Sequence, residues 1–175
     1  MNIFPIDKDP KKCAEWSCDQ HVVKIISEAV LIYSSALSYY DSEKWSTISK
    51  DNKYGPINLP LVRWAINKQN RIWLAYYIFE LNREYEFRYN KKHKAYEVFL
   101  ILAKEFQEMP YEQISFCLPQ DPFVQCMPEQ FKTEDSIEAY RNYYKFKFSQ
   151  GFKRPMRWKK RSKPLFLEGR VSYAN

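Results

Sequence analysis

Glycine is scarce in this sequence. Three glycines among 175 residues exclude Gly-rich phosphate-cradling loops and argue against an all-β fold with many tight turns. No run of about 18 apolar residues occurs, so no membrane span is expected. The opening "MNIFPIDKDPKK" lacks the apolar core of a secretory signal, so a cytoplasmic location is expected. Cysteine is sparse as well. Cys13, Cys18, Cys117 and Cys126 in a leaderless chain read as reduced thiols. Cys13, Cys18 and His21 follow a C-x4-C-x2-H spacing, but Cys117 and Cys126 supply no matching second pair. Structural thiols are therefore expected in preference to a zinc site, with no metal and no organic cofactor.

Against these absences stand charge and aromatic content. The net charge is +7, and residues Lys145 to Lys163 hold nine Lys or Arg and no acidic residue. Without that segment the chain is close to neutral. A local basic stripe of this kind is the footprint of polyanion binding. Hydrophobic residues make up 45% and aromatics 18%, enough for a packed globule without disulfides. One domain is expected, a helical body over 1–150 with a basic aromatic tail over 151–175.

The hydropathy pattern is helical. Asp9-Pro10 is a helix start, with Asp as N-cap and Pro at the first helical position. Continued to about Tyr40, such a helix puts Val22, Ile25, Ile26, Ala29, Tyr33, Ala36 and Leu37 on one side. His21, Lys24 and Glu28 fall within about 60° of one another on the opposite side. Residues 41–60 read as a loop with one short turn. From Leu61 to Tyr89 the pattern predicts a single helix about 43 Å long, with Arg63, Asn67, Asn70 and Arg71 as a polar stripe near its start. A third helix covers "KKHKAYEVFLILAKEF", with His93 near its beginning. The four-proline stretch 109–131 reads as extended loop. "TEDSIEAYRNYYKFKF" is a fourth helix, capped by Thr133 or Asp135. The chain reads as all-α, a compact helical bundle with long loops and an irregular basic C-terminal tail. Glu80 and Glu84, beside Arg83 and Arg88, read as an ion-pair network.

The stretch "CDQHVVKIISE" admits two readings. One is a solvated helix face carrying an i,i+4 pair between Lys24 and Glu28. The other is chemical, and it rests on a resemblance. Asp19, Gln20, His21 and Val22 stand in the order of an Asp-Gln-His-apolar motif, with Glu28 seven residues after His21. In this the stretch resembles the first helix of the phage endonuclease V family of pyrimidine-dimer DNA glycosylases. The opening "MNIF…CDQHVVK" also resembles a group of phage-borne proteins.

The resemblance implies a mainly helical enzyme of the host-cell cytoplasm that acts on double-stranded DNA with a flipped, damaged or modified pyrimidine. It implies an N-terminal α-amine that attacks C1′ and forms an imine with the sugar. It also implies a glutamate that stabilises the sugar intermediate, followed by β-elimination. On this chain the roles fall to Met1 as nucleophile, Glu28 as acid–base and charge-stabilising carboxylate, and His21 beside them. The family's amine belongs to a threonine exposed by methionine removal. Asn2 is too large for efficient removal, so the amine is expected to be that of Met1. Lys24 is the expected phosphate contact and the fallback amine, a role that needs burial. The arginines that follow the glutamate in that family are absent, since 29–32 read "AVLI". Arg63, Asn67 and Arg71 are expected in the substrate- and phosphate-binding role instead.

The tail supplies an independent signal. Its basic residues interleave with Tyr143, Tyr144, Phe146, Phe148, Phe152 and Trp158, so that cations track phosphates while aromatics stack on bases. Lys153, Arg154, Arg157, Trp158, Lys159, Lys160 and Arg161 are the expected DNA contacts, with Trp158 as a binding-surface ring and Tyr140 and Tyr144 as core. Two other readings share these residues: a non-catalytic nucleic-acid-binding accessory protein, and an enzyme of nucleotide or base modification. A monomer is expected in all three.

Overall fold

The structure, a computed structural model, describes residues 1–48, 58–108, 118–151 and 155–168. Among the described residues the fold is all-α, with seven α-helices and no strand. Cys117, Phe152, Lys153 and Arg154 lie outside the described residues.

Two helices expected as continuous are each broken in two. The first pair is α1 (Pro10–Trp16) and α2 (Asp19–Ser38). Asp9 caps α1 as expected, its side chain accepting the Lys11 N–H, and Pro10 opens the helix. The break falls at Ser17 and Cys18, both in extended conformation. Ser17 Oγ donates to the Cys13 carbonyl at 2.8 Å, and the Cys18 N–H is taken by the Tyr144 hydroxyl instead of continuing the helix. The second pair is α4 (Pro60–Ile66) and α5 (Lys68–Tyr89). Here Asn67 leaves the helical region and caps α5 by accepting the Gln69 N–H, a local side-chain bond that competes with helix continuation. Between them, α3 (Ser42–Ile48) occupies part of the expected loop.

The other elements follow the sequence closely. In α6 (Lys94–Glu105), His93 is the N-cap through its ring nitrogen. In α7 (Ser136–Gln150) the cap is Asp135, whose carboxylate accepts from Ile137 and Glu138. Glu80 pairs with Arg83 at 3.1 Å and Glu84 with Arg88 at 2.7 Å, so both carboxylates belong to ion pairs.

The helix α2 is the central element and packs against α3, α4, α5 and α6. By length and composition it is apolar enough to cross a membrane, but 67% of that window is buried inside the fold. Its hydrophobicity is that of a core helix. Its own Tyr33 is wholly buried, as are Trp73, Tyr77, Phe99, Tyr140 and Tyr144 of other helices. The described part of the tail, 155–168, is a strap laid across α1, α2 and α5. The Asp19 N–H donates to the Arg157 carbonyl at 2.8 Å, and the Trp158 indole N–H donates to the Trp16 carbonyl at 2.8 Å.

Candidate functional site

The N-terminal segment folds back onto α2. Phe4 adopts a φ of 45°, a left-handed conformation that costs a bulky residue strain. That turn lays its ring on the His21 imidazole, with centroids 4.6 Å apart. Asn2 is held on three sides. Its side-chain oxygen accepts the Phe4 N–H at 2.9 Å, its side-chain amide donates to the Cys126 carbonyl at 2.7 Å, and its backbone N–H donates to Glu28 Oε2 at 2.7 Å. The first residues of the chain therefore sit against the carboxylate that the helix presents two turns beyond His21.

Together these groups border an open cleft of about 250 Å³ lined by Met1, Asn2, His21, Lys24, Glu28 and Lys147, among others. Glu28 is engaged on both oxygens, since Lys24 Nζ meets Oε1 at 3.0 Å. Its side chain keeps 16% exposure, against 73% for Lys24. Lys24 thus lacks the burial that the fallback role requires. Lys147 reaches the cleft from α7, its ammonium 4.9 Å from the Tyr143 ring. The α-amine is close enough to Cys126 to act electrostatically on its thiol.

His21 is not on a wet face. It is 6% exposed, with Nδ1 3.0 Å from the Tyr144 hydroxyl. Burial first, and then the charges of Lys147 and Lys24, push its pKa down to about 3. The ring is neutral at physiological pH.

The structure brings Met1, His21, Lys24 and Glu28 together. It does not bring Arg63, Asn67 or Arg71 into this cleft. Arg63 Nε donates to Asn58, and Asn67 bonds Gln120 and Asp121. Arg71 is buried in an ion pair with Glu108 while its Nη1 donates to the Ala65 and Ile66 carbonyls. A polar residue one turn from another reads alike whether it faces solvent or a buried partner, and here Glu108, Gln120 and Asp121 arrive from far along the chain.

In the strap, Trp158 turns inward. Its indole is half-buried, bonded to Trp16 and edge-on to Phe148, so it is a structural anchor and not the free stacking surface expected. Arg161 is bound to Glu84 and Glu15. Arg157, Lys159 and Lys160 remain exposed. Asn2, Phe4, Tyr143, Tyr144, Cys126 and Lys147 complete the site without having been singled out for it. The i,i+4 spacing of Tyr143 and Lys147 was the signal available for two of them.

Among the described residues no group of three or more His, Cys, Asp or Glu is placed to hold a metal. Cys13 is buried and bonded to the Asp7 backbone. Comparison with protein-family models, with curated proteins and with solved structures returns no match.

Proposed function

We propose that this chain is a DNA glycosylase with an associated lyase step, acting on a damaged or modified pyrimidine in double-stranded DNA. The observation that carries the reading is the 2.7 Å bond from the Asn2 N–H to Glu28. It supports an N-terminal amine working beside a carboxylate, the pairing that the resemblance to endonuclease V implies. An α-amine is intrinsically less basic than a lysine side chain, which suits it to nucleophilic attack without burial.

In the proposed reaction the amine nitrogen bonds to C1′ of the extruded nucleotide, and the pyrimidine leaves with the electrons of the glycosidic bond and takes up a proton. Opening of the sugar ring and loss of a proton from nitrogen give the imine. Glu28 stabilises the positive charge that develops at C1′ and moves protons in the later steps. Removal of a C2′ proton then expels the 3′ phosphate, and water releases the enzyme. Lys24 and Lys147 hold phosphates. The exposed cations Arg157, Lys159 and Lys160 of the strap extend the DNA contact across the start of α2.

Borohydride trapping on lesion-bearing duplexes tests this. A covalent DNA–protein adduct is expected, falling by about a hundredfold or more in Glu28→Gln and lost after acetylation of the N-terminus. The intact mass identifies the residue that carries the amine. Absence of both adduct and released base on every such duplex overturns the proposal.

The Lys24–Glu28 ion pair favours a second reading, a non-catalytic nucleic-acid binder in which the pair is only a polar face. That reading expects salt-sensitive binding that survives Glu28→Gln, with no base product.

A further inference from the structure

The Tyr144 hydroxyl is fully buried and meets two groups of the first turn of α2. Its oxygen accepts the Cys18 backbone N–H at 2.8 Å and lies 3.0 Å from Nδ1 of His21. A backbone N–H can only donate, so it occupies a lone pair of the hydroxyl oxygen and leaves that oxygen's single hydrogen to be given away. Two acceptors compete for it, Nδ1 of His21 and the Cys18 thiol, which also interacts with Tyr144. Burial raises the thiol's pKa and keeps it protonated, and a protonated thiol is a weak acceptor beside an imidazole nitrogen.

We propose that Tyr144 is a positioning residue: its hydroxyl donates to Nδ1 of His21, fixes the ring hydrogen on Nε2, and makes that N–H a hydrogen-bond donor to a pyrimidine carbonyl oxygen in the cleft. The ring is clamped for this. Phe4 stacks on one face at an interplanar angle of 29°, and Tyr144 meets it edge-on with centroids 5.0 Å apart. Among the described residues Lys24, Lys147, Cys18 and Tyr144 face His21, and the two lysines disfavour a third cation between them. A neutral donor suits a neutral carbonyl, whereas phosphate falls to the lysines. As a pyrimidine departs, charge accumulates on such an oxygen, and a fixed donor there stabilises it. The choice of ligand rests on the function proposed above; the tautomer does not.

The decisive measurement is ¹⁵N NMR of the imidazole in the full chain carrying His93→Asn, which leaves one histidine of the two and keeps a capping side chain on α6. The hydrogen is expected on Nε2 at pH 7. Finding it on Nδ1 overturns the proposal, and this arm leaves Tyr144 untouched, so a folding defect in a Tyr144 variant cannot obscure it. In folded Tyr144→Phe the ring is expected to relax to a tautomer mixture, and an unchanged Nε2–H form overturns the positioning role. For the carbonyl contact, His21→Gln places an amide N–H near the Nε2 position, and its base release on lesion-bearing DNA is expected to exceed that of His21→Asn by about tenfold, a 1.4 kcal/mol difference. Equal release by the two variants overturns the contact. Nε2–H without base release from any duplex marks failure of the glycosylase reading alone.

Discussion

Two clusters of charge meet α2, and they are built on opposite plans. At its first turn Asp19 joins Arg88, Glu84, Glu15 and Arg161 in a closed network. The Arg88 side chain is fully buried and spends its donors on Glu84 at 2.7 Å, Asp19 at 2.9 Å and the Glu15 carbonyl at 3.0 Å. Further along the same helix Glu28, Lys24 and His21 border a cleft that opens outward. The first cluster ties the strap, α1, α2 and α5 together. The second is bordered by the N-terminal segment and α7. Arg88, fully buried with its donors met by three partners, holds architecture, whereas the Lys24 ammonium at the cleft is mostly exposed and open to a ligand.

Breaking the closed network is expected to give the largest effect. Arg88→Ala takes from Glu84, which is 3% exposed, its fully buried partner and leaves it Arg161 alone, and it leaves the Glu15 carbonyl without that donor. Removing one partner of a buried pair costs about 3–5 kcal/mol. Urea unfolding should show the midpoint fall with the slope nearly constant, while adduct formation per folded molecule stays near wild type. A loss under about 1 kcal/mol would place Arg88 with ordinary surface pairs and erase the contrast between the clusters.

The cleft is expected to respond to acid through His21. His21 has an ordinary pKa of 6.5, lowered in the fold to about 3. The folded state therefore favours the neutral ring, and the unfolded chain binds the proton first. The sign follows: this contribution is fully present above about pH 6.5 and is lost as pH falls from there through about 3. At pH 5 the loss is about 2 kcal/mol, at 1.36 kcal/mol per unit. Stability measured against pH should consequently be flatter for His21→Gln than for the wild type over that window. Parallel curves would show that the ring is already protonated in the fold.

Why some of this was legible in the sequence and some was not comes down to the range of the interactions. Asp9 and Asp135 cap helices through neighbours two or three residues away and are readable, Asp135 as one of two candidates. His93 is readable only as lying near a helix start, and its capping role comes from the structure. The break at Asn67 is also local, but an apolar pattern running across it from Leu61 to Tyr89 hid it. Glu28 and Lys24 share a face as the 100° count requires. His21 shares it too, yet it is buried, because Phe4 and Tyr144 arrive from opposite ends of the chain to cover that part of the helix. Helical periodicity reports which side a residue faces, not what later packs there. Trp158 shows the same limit from the other direction. A tryptophan among cations looks like a stacking surface, but its ring is anchored to Trp16, 142 positions away.

The smallest expected effect sharpens the comparison most directly, because it separates structure from binding at a single residue. Lys24 makes an i,i+4 pair with Glu28 on an exposed side chain, and such pairs contribute only about 0.3–0.5 kcal/mol. Lys24→Ala should therefore leave the unfolding midpoint almost unmoved. Binding is different, since a lysine that neutralises one phosphate releases one counterion and contributes about 0.9 to the slope of log K against log salt. Measured on duplex DNA from low to moderate salt, that slope should shrink by about this amount in Lys24→Ala. Arg63→Ala, outside the cleft, should change neither quantity beyond a few tenths. An unchanged slope in Lys24→Ala would reduce the pair to a solvated helix face and leave Lys147 and the strap to carry any phosphate contact.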